Sequence, residues 1–366
     1  MDHDARARPA RHARRRVTVR ASTPPSPSPP PEDDELISAE LAEAASEPAP
    51  RSRRWVRVVA WVVATVLLVI CFRLVGVGRL LEIASRLDAR WIALSLAANF
   101  CIQLSAAMMW RLLLPEDRSV PYKRLVGIML VGSMLMNTAP MLVGHATLAV
   151  MLSRERNVGN AGALSVLSLD QLAEGLSKLV VVMVALAIGP VPDWMRKGTL
   201  VLGSVMIGLL VVLFTVARRH ESLAAWAKYR NGLTKFIAHW AAHLETMRTP
   251  RRFAIAWAAS LGMKVCELAG LVAAQHALGI HIPVSHSVIV LAAIGLGTML
   301  PITPGNIGTY EAVVLLAYKW LGLDSQEALA VALVQHFSYL AASTLPGYLA
   351  VTARQFRRRR PRTVRS

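Results

Sequence analysis

The chain has 366 residues, 54% of them hydrophobic and 17% charged, with a mean hydropathy of +0.43. That is too apolar for a soluble domain, and uncharged runs of roughly 20 residues, the length that crosses a bilayer, recur along it. The formal charge of +18 does not indicate nucleic acid, because Lys and Arg gather in an N-terminal tail, a central stretch and the last residues, as membrane proteins mark cytoplasmic segments.

Residues 1–50 pass from Arg14-Arg15-Arg16 through a Pro/Ser run, Pro24 to Pro31, into Glu32-Asp33-Asp34-Glu35. Such a composition buries no core, and a disordered cytoplasmic tail is expected. No cleavable leader is expected either, since the first apolar run starts only at Trp55. A transmembrane domain is placed at 51–353, and a short basic tail at 354–366. Six stretches predict full spans, at about 55–72, 91–114, 162–188, 199–217, 251–278 and 325–352. The stretch 220–247 mixes Trp226, Tyr229, Phe236 and Trp240 with Lys and His, the pattern of a helix lying on the cytoplasmic leaflet. Cys71, Cys101 and Cys266 sit in apolar runs without metal-ligand spacing.

Two further apolar regions, about 124–153 and 285–321, are interrupted by the same pattern. The first carries Ala139-Pro140-Met141-Leu142-Val143-Gly144-His145 and the second Thr303-Pro304-Gly305-Asn306-Ile307-Gly308-Thr309. Pro140 and Pro304, Gly144 and Gly308, Val150 and Val314, and Leu152 and Leu316 all stand at one constant separation. Proline removes a backbone donor and glycine admits conformations closed to other residues. A broken helix survives in lipid only where protein or a water-filled cavity covers its freed backbone groups. Paired breaks in matching halves therefore point to a transporter-type site near the bilayer midplane.

Orientation follows from the basic residues. Arg51 to Arg57, the stretch from Arg218 to Arg252, and Arg354 to Arg360 all read as cytoplasmic, whereas 279–287 contains no Lys or Arg and reads as external. Arg73, Arg79, Arg86 and Arg90 oppose this assignment. Each broken region then enters and leaves on one side, as a hairpin or as two crossings. The chain divides into span, hairpin, span at 91–188 and again at 251–352, in opposite orientations, which is an inverted repeat. The expected architecture is all-α, a polytopic helix bundle with both termini cytoplasmic, in the plasma (inner) membrane.

Ionisable side chains inside a membrane cost at least about 2.5 kcal/mol each on insertion scales and mark candidate sites. Asp170, Glu174 and Lys178 lie four residues apart, about 40° per step around one helix face. They are either a functional face or a self-neutralised pair. Lys264 and Glu267 raise the same alternatives. At the later break, a helix restarting near Gly308 would present free N–H groups suited to an anion, with Gly305, Asn306 and Glu311 beside them. Glu311 is a cap or a proton or cation carrier. Asn137 and His145 flank the earlier break, and His145, like His336 in the last span, is either a proton-exchanging group or a hydrogen-bonded structural histidine, the second being the commoner role of a lone histidine. No phosphate loop, zinc spacing or nucleophile elbow occurs, so no cofactor, metal or catalytic set is expected.

The run Pro301-Ile302-Thr303-Pro304-Gly305-Asn306-Ile307-Gly308-Thr309-Tyr310-Glu311-Ala312 resembles the signature of the lysylphosphatidylglycerol synthase transmembrane-region family, also called flippase-like. So do the turn from Pro140 to Gly144 and the helix with Asp170 and Glu174, and the resemblance covers roughly 55–355. It implies an inner-membrane protein that moves lipids or lipid-linked sugars between leaflets. Three cations usual in the family are missing: Tyr310 replaces the Arg before Glu311-Ala312, Gln171 the Arg between the two acids, and His145-Ala146-Thr147-Leu148 the acid and Arg after the early glycine. A soluble aminoacyl-transferase domain is absent, so synthase activity is not expected.

The reading is a nucleotide-independent translocase of a lipid or lipid-linked glycan, whose partners are membrane lipids with anionic or sugar head groups. Its site comprises Asn137, Gly144, His145, Asp170, Glu174, Lys264, Gly305, Asn306, Gly308, Tyr310 and Glu311. The alternatives are a membrane enzyme using Asp170 or Glu174 as base, and a non-transporting assembly partner. Oligomeric state is left open.

Overall fold

The computed structural model describes residues 87–114, 120–138, 141–155, 158–219, 221–222, 240–244, 249–299 and 303–359, with the single positions Val62 and Ala238. The expected tail at 1–50, first span at 55–72, most of the surface helix at 220–247, the last residues of the C-terminal tail, and Pro140 lie outside them.

Nine helices occur among the described residues: α1 (Ala89–Leu113), α2 (Tyr122–Thr138), α3 (Met141–Ser153), α4 (Gly159–Ile188), α5 (Asp193–Arg218), α6 (Pro250–Ala277), α7 (Val284–Gly297), α8 (Thr309–Trp320) and α9 (Ser325–Arg359). A single 3-10 turn, Pro304–Asn306, separates α7 from α8. The described part is all-helical, without strands. Five helices, α1, α4, α5, α6 and α9, are long and apolar enough to cross a membrane. They match five of the six expected spans. Two begin early, α4 at Gly159 and α5 at Asp193. In α5 the extra turn carries Asp193, Arg196 and Lys197, which a hydropathy reading discards although Arg and Lys are good helix formers and an Asp in the first turn faces the positive end of the helix dipole.

Local chemistry explains the ends. Asp88 caps α1 by accepting from Arg90 N at 2.9 Å. Pro250 stands in the first turn of α6, where its missing N–H costs nothing. Asp324 accepts from Gln326 N at 2.8 Å and starts α9. Pro346 lies inside α9.

The two broken regions are built from short pieces. With 14 and 12 residues, α7 and α8 are about 21 and 18 Å long, well under the roughly 30 Å of a hydrocarbon core. Each pairs with its neighbour, α2 with α3 and α7 with α8.

Helices α1 and α6 run antiparallel along their whole length. Asp88 N donates to Ala277 O at one end (3.0 Å), Ser95 Oγ to Gly270 O in the middle (2.9 Å), and Arg252 Nη2 to Leu114 O at the other end (2.7 Å). The remaining contacts exchange between the halves. The first arm of each broken region packs on the last helix of the opposite half, α2 on α9 and α7 on α4. Small residues allow the approach. A Cβ on Gly270 would lie 2.8 Å from Asn99 Nδ2, and one on Gly347 would run into Leu130 and Met134 of α2. The outer surface stays apolar, with Leu200, Val265, Phe337 and Leu349 each about two-thirds or more exposed.

Candidate functional site

Helices α1, α2, α3, α4, α6, α7, α8, α9 and the Pro304–Asn306 turn line a partly open cavity of about 310 Å³. The two broken regions meet on its wall. A Cβ on Gly305 would stand 3.1 Å from the carbonyl oxygen of Asn137, the penultimate residue of α2. Asn137 is fixed in turn by α9, donating from Nδ2 to Ser343 Oγ (2.8 Å) and Thr344 Oγ1 (3.0 Å).

The turn explains its own sequence. Gly305 has φ +58 and Asn306 φ +57, so two successive residues occupy the left-handed region. Glycine takes it without strain, and asparagine is the side chain that tolerates it best. Thr303 Oγ1 donates to Ile307 O at 2.8 Å and closes the loop. Gly308, at φ +83, precedes α8, and its N–H donates to Glu311 Oε2 at 2.7 Å.

Of the expected site residues, Asn137, His145, Asp170, Glu174, Lys264, Gly305, Asn306 and Tyr310 line the cavity. Gly144, Gly308 and Glu311 do not. Gly144 is buried against α2, where a Cβ would stand 2.8 Å from both Cα and N of Met136, so it serves helix approach rather than ligand contact. The Gly308 N–H is not the free donor expected for an anion, because Glu311 takes it. Glu311 is 3% exposed and faces His336, whose Nδ1 lies 2.6 Å from Oε1. His336 Nε2 sits 2.9 Å from Gly305 O. Its ring also stacks on Tyr310, with centroids 4.3 Å apart.

Charge on the wall is arranged in pairs. Lys178 Nζ meets Glu174 Oε1 at 2.8 Å from α4, and Lys264 Nζ meets Glu267 Oε2 at 2.8 Å from α6. Such pairing lowers the cost of holding charge in a low-dielectric interior. Asp170 is held differently. Trp110 Nε1 donates to its Oδ1 at 2.9 Å and Gln171 Nε2 to its Oδ2 at 3.2 Å, and no described cation forms an ion pair with it. The lining thus carries three carboxylates, Asp170, Glu174 and Glu267, against two lysines that are both paired. Asn306 Oδ1 is buried on the wall with no described donor.

Sequence reasoning missed Trp110, Gln103, Gln335 and Tyr339, which also line the cavity, and treated His336 as structural. A signal existed for the first two. Asn99, Gln103 and Trp110 recur at helical spacing along one face of an otherwise apolar run. Gln103 accepts from Ser133 Oγ of α2 at 2.7 Å.

No curated protein and no solved structure matches the chain. A family model described as the lysylphosphatidylglycerol synthase TM region matches residues 57–347. That span contains both breaks, the paired charges and all nine helices but the end of α9. The chain is a membrane-embedded, multi-pass protein that belongs to the lysylphosphatidylglycerol synthase transmembrane-region family.

Proposed function

We propose that this protein carries the polar head group of a lipid or lipid-linked glycan between leaflets, without nucleotide and without making or breaking a covalent bond. The observation that carries the reading is the polar cavity of about 310 Å³ where both broken regions meet, inside a bundle with an apolar exterior. That volume is at the small end of ligand pockets, the size of a head group rather than a whole lipid. The acyl chains would stay against the outer surface while the head group crosses inside.

The wall favours a head group rich in hydroxyl or amine donors. Its carboxylates outnumber its ammoniums, both lysines are already paired, and the buried Asn306 Oδ1 needs a donor. The antiparallel α1–α6 pair supports reading the halves 91–188 and 251–352 as an inverted repeat, and the Lys/Arg distribution supports cytoplasmic termini in the plasma membrane.

Reconstitution tests the proposal. In vesicles holding fluorescent phosphatidylglycerol or a labelled polyprenyl-linked sugar in the inner leaflet, the protein should accelerate the appearance of label outside. Asp170→Asn should lower the rate about tenfold or more if the carboxylate contacts the head group, since a charged hydrogen bond is worth about 1.5–3 kcal/mol. Equal leakage with and without protein, for both probes, sinks the reading. Chemical conversion of either probe favours an enzyme instead.

A further inference from the structure

His336 is placed between two acceptors. Its Nδ1 faces Glu311 Oε1 at 2.6 Å and its Nε2 faces Gly305 O at 2.9 Å. A neutral imidazole has one N–H, and a carboxylate has none. Both contacts are hydrogen bonds only when the pair holds one proton more than a carboxylate and a neutral ring. The proton sits on the second ring nitrogen, or on Glu311, which then donates to Nδ1. Without it a ring lone pair faces an oxygen, at Gly305 or at Glu311. With residues 2% and 3% exposed, solvent offers little replacement.

We propose that the Glu311–His336 pair is a proton-binding site and that its proton latches the Pro304–Asn306 break. Proton release into the cavity, which His336 and Gly305 both line, leaves the pair one unit more negative and opens the Gly305 contact or the Glu311 contact. The first change removes the ring's hold on the Gly305 carbonyl, and the second leaves Glu311, which holds the Gly308 N–H, without its ring partner; either loosens the turn. Eight titratable groups share the cavity with the ring. Tyr310 stacks on it from α8, Tyr339 lies on α9 itself, Lys264 and Glu267 line the cavity from α6, Asp170, Glu174 and Lys178 from α4, and His145 from α3. Helices α1, α2 and α7 contribute no titratable lining residue. A break whose latch follows a proton would couple head-group movement to a proton gradient, which rests on the translocase reading; the latch itself does not.

Glu311→Gln is the informative variant. Its amide oxygen can accept from Gly308 N–H, its NH₂ can donate to Nδ1, and a neutral His336 can still donate from Nε2 to Gly305 O. The contacts survive with no proton to lose. Hydrogen exchange of the 303–311 segment is followed in lipid nanodiscs from about pH 5 to about pH 9, corrected for intrinsic rates. In the wild type, protection should fall about tenfold or more with rising pH, the factor set by one lost buried hydrogen bond. In Glu311→Gln that step should vanish. A flat wild-type profile overturns the proposal, and so does a step with the same midpoint in the variant. If the variant is unprotected at every pH, the ring ¹⁵N spectrum of wild-type His336 decides. Loss of an N–H across the step, or loss of a proton from the Glu311 carboxyl by infrared, upholds the proposal, and neither change overturns it. No substrate is needed, so failure here leaves the vesicle result untouched.

Discussion

At the scale of single residues, the break between α7 and α8 depends on Gly305. Its φ of +58 and the Asn137 carbonyl 3.1 Å from where a Cβ would stand penalise a side chain for two independent reasons. Gly305→Ala should lower stability by about 1–3 kcal/mol, the usual cost of a left-handed non-glycine residue with crowding, seen as a lower thermal midpoint in detergent. A midpoint equal to the wild type would mean that the turn relaxes freely. The residue types at this break were legible in the sequence: proline and glycine announce it because their effect is local. The partner of Glu311 was not. His336 lies 25 residues away on another helix, and no periodicity within either segment joins them.

Among elements, α1 and α6 are held by close backbone approach at a polar seam. Asn99 Nδ2 donates to Ser95 O at 2.8 Å, and the side chain occupies space left by Gly270. Gly270→Ala should destabilise by about 1–3 kcal/mol through overpacking. Asn99→Ala in the same chain should recover part of that loss, and strictly additive effects in the double-mutant cycle would rule the contact out. The spans themselves were readable, because about 20 apolar residues make a crossing helix wherever they occur. Their charged first turns and the small-residue seams were not, since both depend on what lies opposite.

Across the whole molecule, the antiparallel α1–α6 pair sets Asp88 beside Ala277 and Leu114 beside Arg252. In a cysteine-free background, Arg90→Cys and His281→Cys should react with an impermeant maleimide from the same face of sealed vesicles. Arg251→Cys should react from the other. All three are exposed positions. Labelling of Arg90→Cys and Arg251→Cys from one face would contradict the pairing. The experiment also settles Arg86 and Arg90, which oppose the charge-based orientation.

Hydropathy and helix breakers alone determined that this chain is a membrane bundle with two interrupted regions, since each follows from how a short segment meets lipid or water. Only the tertiary structure decided that Asn137 stands against Gly305, that Trp110 rather than a cation holds Asp170, and that Gly144 packs while His145 faces the cavity. Those outcomes depend on the rotation and register of one helix against another. Interlocking side chains fix that register between segments up to 240 residues apart, as in the Ser95–Gln335 contact, and no single segment carries it.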